Sequence, residues 1–216
     1  MGIPILYIDN DLLAVDKPAG MAVNPGGWTK EESSLRSLLE GENGRLWTIH
    51  RLDKVTSGVV VFARNASAHR TLSMLFEKRL VAKTYQAILC GEPDWRKKTA
   101  CHPLRVDAGR THRTAVDHKN GTQAVTHFRI LERNSGYALA EIHPETGRTH
   151  QIRAHAACLG HPILADRFYG ALPTDLIDRP ALHASSLEFT FEGSSFFLEA
   201  PSPDDLVSAW NKIRAG

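Results

Sequence analysis

Short apolar runs dominate the chain, at Ile3–Ile8, Leu12–Val15, Val59–Ala63, Thr84–Leu89, Thr126–Leu131, Tyr137–Ile142, Leu187–Phe191 and Phe196–Glu199. Runs of this length and composition predict strands. Between them the apolar spacing becomes helical. Leu72, Leu75, Phe76 and Leu80 form a stripe on a helix starting near Ala66, and Ile152, Ala156 and Leu159 form one on another, which Gly160 and Pro162 stop. Two further helices are predicted at Ser34–Leu39 and Asp204–Lys212, the second with Leu206, Trp210 and Ile213 on one side. Strands outnumber helices without regular βαβ alternation. The pattern therefore predicts an α+β fold: a large, mixed, mostly antiparallel sheet with flanking helices and loops.

At 216 residues and 42% hydrophobic content, the chain can bury one substantial core or two tightly joined lobes. It shows no internal repeat and no low-complexity linker, so a single domain over residues 1–216 is the expectation. Lys and Arg total 26 against 24 Asp and Glu, and the net charge of +2 confines any anion-binding face to local clusters. Arg96, Lys97 and Lys98 form one; Arg105, Arg110, Arg113 and Lys119, with His102, His112 and His118 between them, form another. Each reads equally well as an ordinary solvated surface. Cys90, Cys101 and Cys158 form no CxxC pair, which argues against a disulfide framework and a zinc site. Met1–Asp9 carries no basic leader, and nowhere do about 18 apolar residues run together, the pattern of a cytosolic protein without a membrane partner.

Three polar segments stand out from this scaffold. His50-Arg51-Leu52-Asp53-Lys54-Val55-Thr56-Ser57-Gly58 runs directly into the apolar strand Val59–Ala63. It reads as a turn in which Asp53, Thr56 and Ser57 bond backbone amides and Gly58 supplies an unusual dihedral, or as a cluster kept for chemistry. Pro144 to His155 is a loop leading into a helix, and it offers Arg148, His150, Arg153 and His155 beside a helix amino terminus. Such groups suit anionic oxygens; a charged helix face with satisfied histidines is the other reading. Lys83-Thr84-Tyr85-Gln86-Ala87 is a strand with one aromatic among polar residues, which alone would be taken for cross-strand packing.

In this order the three segments closely resemble the RluA-type family of pseudouridine synthases, whose signature HRLDxxTSG is matched from His50 to Gly58. GRTHQIRAHAACLGHPILADRFYG, from Gly147 to Gly170, is similar to the family's second block, Lys17-Pro18-Ala19-Gly20 to its KPxG, and Leu182-His183-Ala184 to its last. The resemblance spans about residues 5 to 200, and several ordered blocks are far more specific than one short motif. One departure is Ala165, where many relatives carry glycine. The resemblance implies the pseudouridine synthase fold and an isomerase acting on uridines of ribosomal and/or transfer RNA. It implies no cofactor and no metal, structured RNA as partner with no DNA and no membrane, a cytoplasmic location, and a monomer as the default. No S4-type domain precedes the first strand, so recognition is expected to fall on the catalytic domain, including the insertion Asp94–Gly121.

Pseudouridine formation breaks a C–N glycosidic bond, turns the base and joins C5 to the same sugar carbon, with no net oxidation. A carboxylate can trap or stabilise the sugar carbon, add to the base, or take the C2′ proton; sequence leaves these open. By resemblance that carboxylate is Asp53. Enclosed by a stacked base it would need a cation, which the family places at Arg153. Tyr85 resembles the family's active-site tyrosine, which packs against the target ring. Arg148 is implied as an RNA phosphate ligand, and Arg51 as the side chain inserted where the flipped base was. His50 is implied as an RNA contact or a cap of the turn, with the second preferred.

Rival readings differ in what they require. A metal-dependent hydrolase using His143, His150, His155 and His161 lacks an HxxxH or HExxH pair, and a serine hydrolase on Ser57 lacks the GxSxG elbow. A non-catalytic structured-RNA-binding protein needs aromatics and cations, but no acid between them.

Overall fold

The computed structural model describes residues 2–25, 34–108 and 113–216, so Arg110 and His112 of the second basic cluster lie outside the described residues. The elements are β1 (Ile5–Ile8), β2 (Leu12–Lys17), α1 (Leu35–Asn43), β3 (Trp47–Thr48), β4 (Ser57–Ala63), α2 (Ala66–Glu77), β5 (Ala82–Cys90) and β6 (Lys97–Cys101). There follow β7 (Leu104–Ala108), β8 (Arg113–Val116), β9 (Val125–Asn134), β10 (Tyr137–Pro144), α3 (Gln151–Cys158), a 3-10 turn at Arg167–Tyr169, β11 (Leu182–Phe191), β12 (Ser194–Glu199) and α4 (Asp204–Ala215). The chain divides into two compact units, Met1–Lys83 with Ala184–Pro201, and Thr84–His183 with Ser202–Gly216.

In the first unit β2 pairs antiparallel with β1 on one side and with β4 on the other, β11 lies next to β4, and β12 pairs antiparallel with β11. All seven residues of β4 are buried, which accounts for its unbroken apolar run: a strand covered on both faces has no polar face to alternate. Ala68 and Leu72 of α2 join Leu12, Val59, Val61, Leu187 and Phe189 in the unit's core. Asn65 starts α2, its side chain accepting a bond from the Ala68 amide at 2.9 Å. The helix ends before its apolar periodicity does. Arg79 takes a left-handed φ of 60°, while the Arg79 and Leu80 amides donate to the Phe76 and Leu75 carbonyls at 3.2 and 2.9 Å. That is a Schellman closure, and it leaves Leu80, expected on the stripe, 59% exposed.

In the second unit the antiparallel order is β5-β10-β9-β6, with Tyr85 opposite Ile142, Ile142 opposite Phe128, and Phe128 opposite Lys98. Ser135 and Gly136, with φ of 48° and 79°, close β9 to β10 in a two-residue turn whose twist matches the strands. Helices α3 and α4 contribute Ile152, Ala156, Leu206, Trp210 and Ile213 to a core built on Ile88, Phe128, Ile130 and Ile142. The insertion Asp94–Gly121, which shows no element in its sequence pattern, holds β6 and the hairpin β7–β8. Lys97, Lys98 and Thr99 are exposed on β6 at the end of the strand order, and a polar edge strand carries no periodic apolar signal. Among the described residues, no helix is long and apolar enough to cross a membrane.

Candidate active site

His50, Arg51 and Asp53 belong to the first unit, on the segment between β3 and β4; Tyr85, Arg148 and Arg153 belong to the second. Along the first segment exposure alternates: Arg51 faces solvent, Leu52 is buried and Asp53 is half-buried. Chain direction is fixed by backbone bonds. The Thr56 amide donates to the Asp53 carbonyl at 3.0 Å, and the Gly20 amide to the Lys54 carbonyl at 2.7 Å. Lys17, fully buried, donates from Nζ to the Pro18 and Met21 carbonyls at 2.8 Å each and to the Lys54 carbonyl at 3.3 Å. A buried ammonium is costly unless its hydrogens are taken up, and here backbone oxygens of two loops take them. The KPAG loop is thereby tied to the residue after Asp53.

Thr56 and Ser57 are buried, and Gly58 has φ 116°, where a β-carbon would meet the Ala184 carbonyl oxygen at 2.1 Å. Only glycine fits that approach. The turn reading of the segment therefore holds at Gly58, and it holds together with an outward Arg51 and a half-buried Asp53. His50 has its ring engaged within the protein: Nε2 accepts the Val61 amide of β4 at 3.0 Å, and the ring stacks on Phe76 at 4.6 Å between centroids. Desolvation, then the nearby Lys83 charge, lower its pKa to about 3, so the imidazole is neutral with its proton on Nδ1. These contacts give His50 structural partners at the start of the segment.

In the second unit Tyr85 lies on β5, partly buried against the core cluster. Arg153 is buried in α3 and forms a bidentate pair with buried Asp166, Nε to Oδ2 at 2.6 Å and Nη2 to Oδ1 at 2.8 Å. Its guanidinium also lies 5.0 Å from the Tyr169 ring centroid. Stranding a buried cation costs about 3–5 kcal/mol, so the pair has to be kept whole. Arg148 is exposed at the loop before α3. Gln151 shapes that loop: its Oε1 accepts from Thr146 Oγ1 at 2.6 Å and the Arg148 amide at 3.0 Å, and its Nε2 donates to the Val125 carbonyl and Thr126 Oγ1, both at 2.9 Å. Every polar group of the buried amide is used.

His155 is fully buried, bonded to Thr126 Oγ1 at 2.9 Å and to the His102 carbonyl at 3.1 Å, and desolvation lowers its pKa. Of the two imidazoles offered by the second segment, His155 thus follows the satisfied-histidine reading. Among the described residues, no group of three or more His, Cys, Asp or Glu side chains is arranged to hold a metal ion.

Three residues that position the site escaped sequence reasoning. Asp166 was recoverable, since a buried arginine needs an acid and Asp166 stands in the same block. Lys17 and Gln151 stood in family-like blocks without an assigned role, because burial of a polar side chain is not visible in a linear pattern.

The sequence matches the model of the RNA pseudouridylate synthase family over residues 11–158. It is 41% identical over 204 residues to an uncharacterized RNA pseudouridine synthase of Zymomonas mobilis, covering 92% of this chain and 93% of that protein. It is 36% identical to the ribosomal large subunit pseudouridine synthase D of Haemophilus ducreyi, covering 94% of this chain and 68% of that protein. Among solved structures, human RNA pseudouridylate synthase domain containing 1 superposes with a TM-score of 0.81 at 27% identity, over 94% of this chain and 84% of that one. Human RNA pseudouridylate synthase domain containing 4 gives 0.80 at 26% identity, over 98% and 93%.

Proposed function

Because the chain belongs to the RNA pseudouridylate synthase family, and is accordingly an isomerase acting on RNA, we propose that it converts selected uridines of ribosomal or transfer RNA to pseudouridine with Asp53 as the catalytic carboxylate. The observation that carries the assignment is the fastening of the Asp53 segment: a half-buried carboxylate on a loop whose next carbonyl is held by a fully buried lysine. A group that must meet a reacting sugar or base benefits from such prior positioning. Similarity to a synthase named for the large ribosomal subunit favours ribosomal RNA.

In this reading the N1–C1′ bond breaks, the uracil turns, C5 bonds to C1′, the proton leaves C5 and N1 gains one. Atoms and electrons balance within one nucleotide, so no cofactor is required. The roles divide by exposure. Arg51, outward beside Asp53, enters the gap left by the flipped uridine. Tyr85 packs against the target ring. Arg153, its Nε and Nη2 held by Asp166, is the cation that the family resemblance assigns to the catalytic carboxylate. Arg148 contacts a phosphate, and the enzyme works as a cytoplasmic monomer.

The test is incubation of wild type and Asp53→Asn with total RNA from a strain lacking the gene, followed by chemical mapping of pseudouridines. New sites made by the wild type alone, with RNA binding retained by the variant, are the expected outcome and assign the substrate. Equal RNA binding with no new site from either protein would leave a non-catalytic RNA-binding protein.

A further inference from the structure

The 3-10 turn at Arg167–Tyr169 carries an aromatic that nothing in the proposed chemistry uses. Phe168 is 42% exposed, between exposed Arg167 and buried Tyr169. Its orientation is fixed on several sides. The Tyr169 and His150 rings meet it nearly at right angles, with centroids at 5.4 and 5.9 Å, and the Arg153 guanidinium lies 5.9 Å from its centroid. His150 is itself held, its Nδ1 hydrogen-bonded to the Tyr169 hydroxyl at 3.1 Å, which in turn accepts the Thr114 amide at 3.1 Å. Phe168 is therefore a rigid exposed ring.

One guanidinium, that of Arg153, lies near the ring, and Arg167 precedes it in the chain. Arg148 and Arg167 are exposed nearby in sequence to His150 and Phe168, and Leu172, four residues on, is 81% exposed. A single exposed apolar side chain is ordinary. A rigid aromatic flanked by arginines on the unit that holds Arg153 is the combination that takes an unstacked nucleobase on the ring and its phosphates on the guanidinium groups. We propose that Phe168 is a stacking platform for a base neighbouring the target uridine, and so a specificity-determining residue for the RNA. The inference rests on the isomerase reading above. It goes beyond it by assigning an RNA contact outside the chemistry.

Extraction of one uridine breaks two stacks, its own and that of the neighbour left behind. A stacking platform for the neighbour offsets the second. Stacking is tolerant of base identity but favours purines through their larger face, so Phe168 would bias the enzyme toward uridines with a purine neighbour in a loop or at a stem end.

The test uses a single-stranded oligoribonucleotide of uridines with one 2-aminopurine, bound to wild type, Phe168→Tyr and Phe168→Leu. Wild type and Phe168→Tyr should quench the 2-aminopurine on binding, whereas Phe168→Leu should lose the quench and bind about tenfold more weakly, near the lower range for one base–aromatic stack. Thermal melting of Phe168→Leu at the wild-type temperature shows that the loss is not unfolding; if Phe168→Leu melts early, retained quenching by Phe168→Tyr against its loss in Phe168→Ser carries the comparison. Undiminished quenching in Phe168→Leu overturns the platform, as does an RNA-independent dimer that Phe168→Leu abolishes while quenching stays. Pseudouridine mapping on the same wild-type protein separates the two readings. Turnover with unaltered quenching removes only the platform, and lost quenching without wild-type turnover removes only the isomerase.

Discussion

His50 and Asp53 are three positions apart and both half-buried, but the His50 ring is engaged by the Val61 amide and by Phe76. The nine-letter signature presents its residues as equals, whereas the structure divides them into outward Arg51, half-buried His50 and Asp53, and buried Leu52, Thr56 and Ser57. The neutral His50 has a pH consequence. Its folded pKa, about 3, lies below the ordinary 6.5, so between these values the unfolded chain binds a proton that the folded chain refuses. Stability from this residue is complete above pH 6.5 and declines as pH falls toward 3. Buried His155 is lowered in the same direction and adds to the same decline. His50→Gln, which can still accept the Val61 amide, should cost about 1 kcal/mol at pH 7 through the lost stack on Phe76. Urea midpoints should then fall less between pH 7 and pH 5 for His50→Gln than for wild type; equal falls would remove the neutral-imidazole account. The motif set these residues apart as a block, and the scaffold reading of Thr56, Ser57 and Gly58 agrees with their burial, but which side chains burial would take was not legible in a linear pattern.

The elements legible in sequence were those with a one-sided apolar pattern or a full apolar run: β4, β10, α2 and α4 among them. What escaped was short, polar or closed by an unexpected residue. β6 is an exposed edge led by Lys97 and Lys98, and α2 is closed by Arg79 where a glycine would have announced the stop. Ala165 is a second case. It carries a left-handed φ of 63° between Leu164 of the core and Asp166 of the buried ion pair, and that region costs a residue with a β-carbon about 1–2 kcal/mol. Glycine offsets part of that gain by its greater freedom when unfolded. Ala165→Gly should therefore raise stability by up to about 1 kcal/mol and the melting temperature by roughly 2–4 °C. A lowered melting temperature would show that the turn has no strain to relieve.

For the molecule as a whole, a net charge of +2 gives little general attraction to RNA, so affinity has to come from individual cations. Arg148→Ala should weaken binding to any RNA sequence and reduce the slope of log K against log salt by about 1. An unchanged slope would take Arg148 off the phosphate backbone. The α+β, mostly antiparallel architecture was readable from strand count and order, but the two units were not, because two of their three boundaries fall inside strands, β5 between Lys83 and Thr84 and β11 between His183 and Ala184, and only the third, between Pro201 and Ser202, lies outside one. No linker composition marks a crossing made within a strand. The first unit is consequently assembled from two stretches about 100 residues apart in the chain, and Leu187, Phe189, Phe191 and Leu198 of its core come from the later one. On the ribosome, β2 and β4 therefore emerge roughly 100 residues before β11 and β12, the strands that complete their core. A product cut short before β11 would lack Leu187, Phe189, Phe191 and Leu198, leaving the apolar strands beside Asp53 without their cover and open to proteases.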